Sequence, residues 1–156
     1  KVRLKTGQAG YIDARYIRVD TIPPHEYDEN SSKWVIKFNE DDQKLMIYNN
    51  SELVMESLAS SGIRYSFTPK GVYQIEEDRR GEWAYIPRFN QGMKYWVGFK
   101  DTYLIHSMPC TEDGEIIKEE ERKLGMPASH GCIRVPEDVS KFIYENVPDG
   151  SIVIIE

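Results

Sequence analysis

A chain of 156 residues can bury roughly two-thirds of its unfolded surface, so one domain with a short appendage fits without disulfide staples. Hydrophobic residues at 40% and aromatic residues at 12% exclude a disordered chain. Twenty Lys and Arg face 26 Asp and Glu, a net charge of −6 that leaves no basic stripe for nucleic acid.

In chain order, the first 20 residues alternate weakly around Gly7 and Gly10, the texture of a hairpin end. The chain opens in mid-pattern, so it is expected to be trimmed from something longer. Contact with a membrane would come only through an upstream anchor or signal. No apolar run approaches the roughly 20 residues of a membrane-spanning helix. Residues 21–32, with Pro23, Pro24, acids and serines, read as a linker, because two prolines remove backbone donors and the remainder is easily solvated. A second unit is expected over 33–156.

β patterns dominate that unit. Residues 34–38 and 44–48 flank the polar stretch 39–43 as a hairpin, and 49–51 turns the chain into a third strand over 52–60. Thr68-Pro69-Lys70-Gly71 is a turn in which Pro69 fixes φ and Gly71 tolerates a positive one; it feeds a strand over 72–75. Residues 95–100 and 103–106 are short, aromatic-rich strands. Strand alternation would send Trp83, Tyr85, Tyr95 and Trp96 into the core. One helix is predicted over 136–146. Pro136 suits its first turn, Glu137 and Asp138 complement its dipole, and Val139, Phe142, Ile143 and Val147 form one apolar stripe. A last strand follows over 151–155. The expected fold is mainly β, a mixed β-sandwich or barrel-like arrangement with one principal α-helix.

The chemistry gathers in Ser129-His130-Gly131-Cys132-Ile133-Arg134, just ahead of that helix. A thiol is nucleophilic as the thiolate, so Cys132 needs a nearby base or cation. Gly131 would let the backbone approach a substrate, with adjacent N–H groups facing an oxyanion. His106 shares a strand face with Leu104, and with Leu104 inward it would sit at the inner rim of the sheet. Other readings stay open on spacing alone. Cys132 could be a small buried hydrophobe. Cys110 and Cys132 could form a disulfide. His106, Cys110, His130 and Cys132 could form a zinc set, although neither C-x₂-C nor H-x₃-H spacing is present.

The Ser129–Arg134 motif resembles the signature of the YkuD-type L,D-transpeptidase catalytic domain. Trp34 to Tyr48 is similar to that family's opening hairpin. Ser60-Ser61-Gly62 and Thr68-Pro69-Lys70-Gly71-Val72-Tyr73 look like its Ser-Thr-Gly and Thr-Pro-x-Gly segments, and Ile105-His106-Ser107 like its catalytic-His strand. The match runs from about Ser32 to Glu156, while residues 1–20 resemble the last strands of a bacterial SH3-like module. The resemblance implies Cys132 as nucleophile and His106 as its base, oriented through the Ser107 carbonyl. Gly131 and Cys132 N–H groups would serve the oxyanion, with His130 and Ser129 shaping the pocket. Arg134 would support the loop or hold a substrate carboxylate. Neither a metal nor an organic cofactor is implied. The implied partners are peptidoglycan stem peptides, a donor tetrapeptide and an acceptor amine, with carbapenem β-lactams as inhibitors. The implied location is extracytoplasmic, at the wall. Hydrolysis of the stem on the same scaffold and a non-catalytic wall-binding module are the alternatives.

One departure from the family is visible. The stretch between His106 and Ser129 is long, and its excess, residues 109–121, is rich in acids. It is expected to be a solvated loop or short exposed helix, a flap with its carboxylates turned away from the thiol, since they would raise its pKa.

Overall fold

The computed structural model describes residues 2, 3, 6–11, 28 and 30–156. The expected SH3-like stub and linker lie largely outside the described residues; within them, β1 (Val2–Arg3) pairs antiparallel with β2 (Ala9–Gly10).

The predicted hairpin is β3 (Trp34–Asn39) with β4 (Lys44–Asn49), paired antiparallel from Trp34 opposite Asn49 to Asn39 opposite Lys44. Its alternation is simple. Ile36, Phe38, Leu45 and Ile47 are fully buried, while Lys37 and Met46 between them are less so. The chain returns as β5 (Glu52–Leu58), two residues shorter than the pattern suggested, because the backbone leaves the ladder at Ala59. β6 (Gly71–Gln74) and the last strand, β11 (Ile152–Ile155), complete a five-stranded sheet in the order β5-β4-β3-β11-β6, in which β11 and β3 are parallel.

A second sheet holds four strands in the order β10-β9-β8-β7. They are β7 (Arg80–Ile86), β8 (Gln91–Lys100), β9 (Tyr103–Ser107) and β10 (Ile133–Val135). β7 and β10 escaped the sequence reading for different reasons. β7 is an edge strand carrying Arg80, Gly81 and Glu82, and β10 is three residues hidden inside the motif. The four aromatics expected in the core are not buried there. Trp83 is 42% exposed on the edge strand, and Tyr85, Tyr95 and Trp96 are half-buried.

The core lies where the sheets and one helix meet. Ile36, Phe38 and Ile155 of the larger sheet pack with Val97, Ile105 and Ile133 of the smaller one. The helix α2 (Glu137–Asn146) adds Val139 and Ile143 and lies against β8 and β9. Each such side chain, fully withdrawn from water, stabilises the fold by about 1.5–3 kcal/mol. Residues 109–121 are not a free flap. Cys110 bridges to Gly92 and to Ile116, and the segment ends in the short helix α1 (Lys118–Glu121).

Candidate active site

β9 and β10 run side by side in parallel, with Ile105 opposite Ile133 and His106 opposite Arg134. Side chains alternate along a strand, so the two strands share one division of labour. Ile105, Ile133 and Val135 face the core, while His106 and Arg134 face the other way, with Leu104 and Cys132 beside them. Leu104 therefore lines the pocket instead of the core, and His106 belongs to the face opposite the one that an inward Leu104 implied. Cys132, His106, Ser129, His130 and Arg134 all line a single cavity of about 280 Å³. Two larger grooves, of about 630 and 610 Å³, lie elsewhere and contain neither Cys nor His.

His106 is 6% exposed, and its Nδ1–H donates to the Ser107 carbonyl at 2.7 Å. That bond selects the tautomer whose Nε2 carries a lone pair. Burial, seconded by the Arg134 guanidinium, pulls the imidazole pKa down to about 4, against the opposing pull of the Ser107 carbonyl. The ring is thus a neutral acceptor at neutral pH. Burial also pushes the Cys132 thiol up, opposed by a backbone hydrogen bond at Leu104 and by Arg134. The resting pair is a neutral thiol beside a neutral base. In this conformation Sγ faces the Thr102 carbonyl at 3.7 Å and is not bonded to the ring, a looseness common before substrate binds.

The loop before Cys132 is tied at several points. Gly131 has φ +114°, and a Cβ there would stand 2.5 Å from the Tyr103 ring. A Cβ at Gly62 would lie 2.0 Å from the Ser66 carbonyl and 2.8 Å from Gly131 Cα, so the two glycines let two backbones touch. Thr68 Oγ1 bridges them, accepting from the Gly62 N–H and donating to the Gly131 carbonyl, each at 2.9 Å. Ser129 Oγ accepts from the Gly131 N–H at 2.9 Å and donates to the Cys132 carbonyl at 2.5 Å. The Gly131 N–H, expected to face an oxyanion, is therefore committed to Ser129. Among the described residues the Cys132 N–H has no partner and is the free donor of the pair.

Arg134 supports the loop and does not reach for solvent. Its Nη1 donates to Glu120 Oε2 at 2.6 Å and to the Ala128 carbonyl at 3.2 Å. Glu120 belongs to α1, so the acidic segment does not turn wholly away from the site: one of its carboxylates is drawn in by a buried guanidinium. Glu120 also accepts from Lys123 at 2.5 Å. Burial raises its pKa while Lys123 and Arg134 lower it, and the balance leaves it below the usual carboxylate range. His130 is exposed and stacks on Phe89, with ring centroids 4.6 Å apart. Phe89, Arg88 and Gln91 of the β7–β8 hairpin line the cavity and were missed by the sequence reading, as was Gln43. Gln43 is buried in a hairpin turn and bonds the Ser61 backbone N–H and hydroxyl, holding the loop that carries Gly62. A strained Gln43 φ of +51° leaves no trace in hydrophobic periodicity. Cys110 and Cys132 are both free thiols, and Cys110 is fully buried with its Sγ near the Met108 carbonyl. Among the described residues no group of three or more His, Cys, Asp or Glu is placed to hold a metal.

Comparison with known proteins follows the same outline. The YkuD L,D-transpeptidase catalytic domain matches residues 33–155. YciB of Bacillus subtilis (strain 168), a protein that carries the L,D-transpeptidase name, is 39% identical over 136 residues, 83% of this chain and 70% of its own length. The solved structure of L,D-transpeptidase LdtMt1 in complex with imipenem superposes with a TM-score of 0.67 at 15% identity. It covers 80% of this chain and 59% of that one. The L,D-transpeptidase of Mycobacterium smegmatis gives 0.66 at 17% identity, over 80% and 58%. At these identities the structural likeness shows a common fold, and the chain spans less than two thirds of either solved chain.

Proposed function

The chain belongs to the YkuD family of L,D-transpeptidase catalytic domains, and from that premise we propose that it transfers an acyl group of a peptidoglycan stem through a Cys132 thioester. The observation that carries the reading is the single cavity lined by Cys132 and by His106, whose Nδ1 is occupied by the Ser107 carbonyl and whose Nε2 is left as acceptor. His106 Nε2 takes the thiol proton as Sγ bonds to the carbonyl carbon at the L-centre of a tetrapeptide donor. The developing oxyanion is met by the free Cys132 N–H. The C–N bond to the terminal D-Ala then breaks, and the proton held by His106 passes to the departing amine. In the second half, the side-chain amine of another stem attacks the thioester. It yields a proton to His106, the C–S bond breaks, and the proton returns to sulfur. The product is a 3→3 cross-link. Stem peptides outside the cytoplasmic membrane place this work at the wall, and a carbapenem would occupy the donor's position, as the imipenem complex of LdtMt1 suggests by analogy.

Intact mass and product analysis test this. Incubation with a tetrapeptide stem should add the acyl tripeptide to Cys132 and release D-Ala, and an added acceptor stem should convert the adduct to dimer. Release of free tripeptide alone, unaffected by acceptor, would assign a hydrolase. No adduct with either stem or carbapenem would remove the catalytic reading.

A further inference from the structure

In a chain with 26 acidic residues and a net charge of −6, the cavity around Cys132 is lined by two arginines and no carboxylate. The two arginines differ. Arg134 is 5% exposed and ion-paired with Glu120, its Nη atoms donating to Glu120, Ala128 and Gln91, so that only its buried Nε lacks a partner. Arg88 forms no ion pair or hydrogen bond among the described residues. Its guanidinium carbon lies 4.5 Å from the centroid of the Phe89 ring. That leaves the planar fork of donors open to the cavity it lines.

The support beneath Arg88 is firm. It sits in a short 3₁₀ turn, Pro87–Phe89, between β7 and β8. Asn90 closes that turn in the left-handed conformation, its N–H donating to the Pro87 carbonyl at 3.1 Å, and Tyr85 Oη donates to Asn90 Oδ1 at 2.6 Å. Phe89 stacks in turn on His130, two residues before the thiol. The Arg88 side chain is exposed, with its guanidinium resting on the Phe89 ring, and its fork can meet a carboxylate as a bidentate pair.

We propose that Arg88 binds the free C-terminal carboxylate of the donor's departing residue, and so makes this site selective for donors cut one residue from their end. The proposal rests on the acyl-transfer reading above. Its geometry follows from the chemistry. One residue separates the scissile bond from the terminal carboxylate, and adjacent Cα atoms are about 3.8 Å apart, so the anion subsite must share the cavity of the thiol. Arg88 is the unpaired cation there. Arg134, for which the resemblance implied either loop support or a substrate carboxylate, is paired with Glu120.

The test compares a tetrapeptide stem ending in D-Ala with the same peptide ending in the D-Ala carboxamide, reading Cys132 acylation by mass. The wild-type protein should prefer the acid by about tenfold or more in kcat/KM, mainly through KM, as a charged hydrogen bond allows. Arg88→Gln should lower the rate for the acid toward that for the amide and bring the ratio close to one. Arg88→Lys should keep part of the preference, as a point charge without the fork. A ratio that survives in Arg88→Gln, or no preference in the wild type, would overturn the assignment while leaving acyl transfer intact. No adduct with either peptide would overturn acyl transfer itself, and the role of Arg88 with it.

Discussion

At the scale of single residues, the thiol and imidazole work as a neutral pair. Burial holds the His106 pKa at about 4, well below its ordinary 6.5, while burial pushes the Cys132 thiol up. Acylation by a carbapenem, followed against pH, should therefore keep its rate through pH 6 and lose its base only near pH 4. An acid limb centred at 6.5 would mean that the ring is solvated or paired. His106→Gln should slow acylation by at least about two orders of magnitude, the usual share of a positioned base. Cys132→Ala should abolish the adduct with the fold intact. Cys110, buried and bonded to the Met108 carbonyl, should take none, so an adduct mapped to Cys110 would refute the choice of nucleophile.

At the scale of elements, α1 is joined to the site by one carboxylate. Glu120 is the anion beside the buried Arg134 guanidinium, and Arg134 also holds the Ala128 carbonyl at the start of the motif loop. Removing one partner of a buried ion pair strands the other, typically at about 3–5 kcal/mol. Glu120→Ala should thus lower stability by up to about 3 kcal/mol, since Glu120 keeps some solvent contact, and should slow acylation as the loop loosens. Glu119→Ala on the exposed side of the same helix should do neither. Urea titration of the two variants makes the comparison. The same geometry makes the expected flap a structural part of the site: replacing residues 112–121 by a Gly-Ser turn should damage acylation of Cys132.

At the scale of the whole molecule, the buried neutral His106 links folding to pH. Below pH 6.5 the unfolded chain takes up a proton at this ring that the folded chain refuses until about pH 4. Stability should fall as pH drops through that window and stop falling from this source below it, by about 3 kcal/mol in all. His106→Gln should flatten that slope. Chemical denaturation at pH 7, 5.5 and 4.5 would show it, and equal slopes in the two proteins would place the ring in water.

Local pattern alone determined the hairpin at Trp34–Tyr48, the helix after Pro136 and the final strand, because each buries a simple period of apolar side chains. The roles expected of Cys132 and His106 came instead from the family resemblance carried by Ser129–Arg134 and Ile105–Ser107, since spacing alone left other readings open. What tertiary structure decided was which face of β9 and β10 meets the core. Ile105 and Ile133 fill the gap between the sheets, so their neighbours are turned outward into a common cavity. Partner choice was decided there as well. Glu120 lies 14 residues before Arg134 in the chain and Thr68 lies 63 residues before Gly131, yet both bond across the loop. The sequence shows charge and hydroxyl but not their destinations, because a buried guanidinium or carbonyl selects its partner by what the folded backbone brings within about 3 Å.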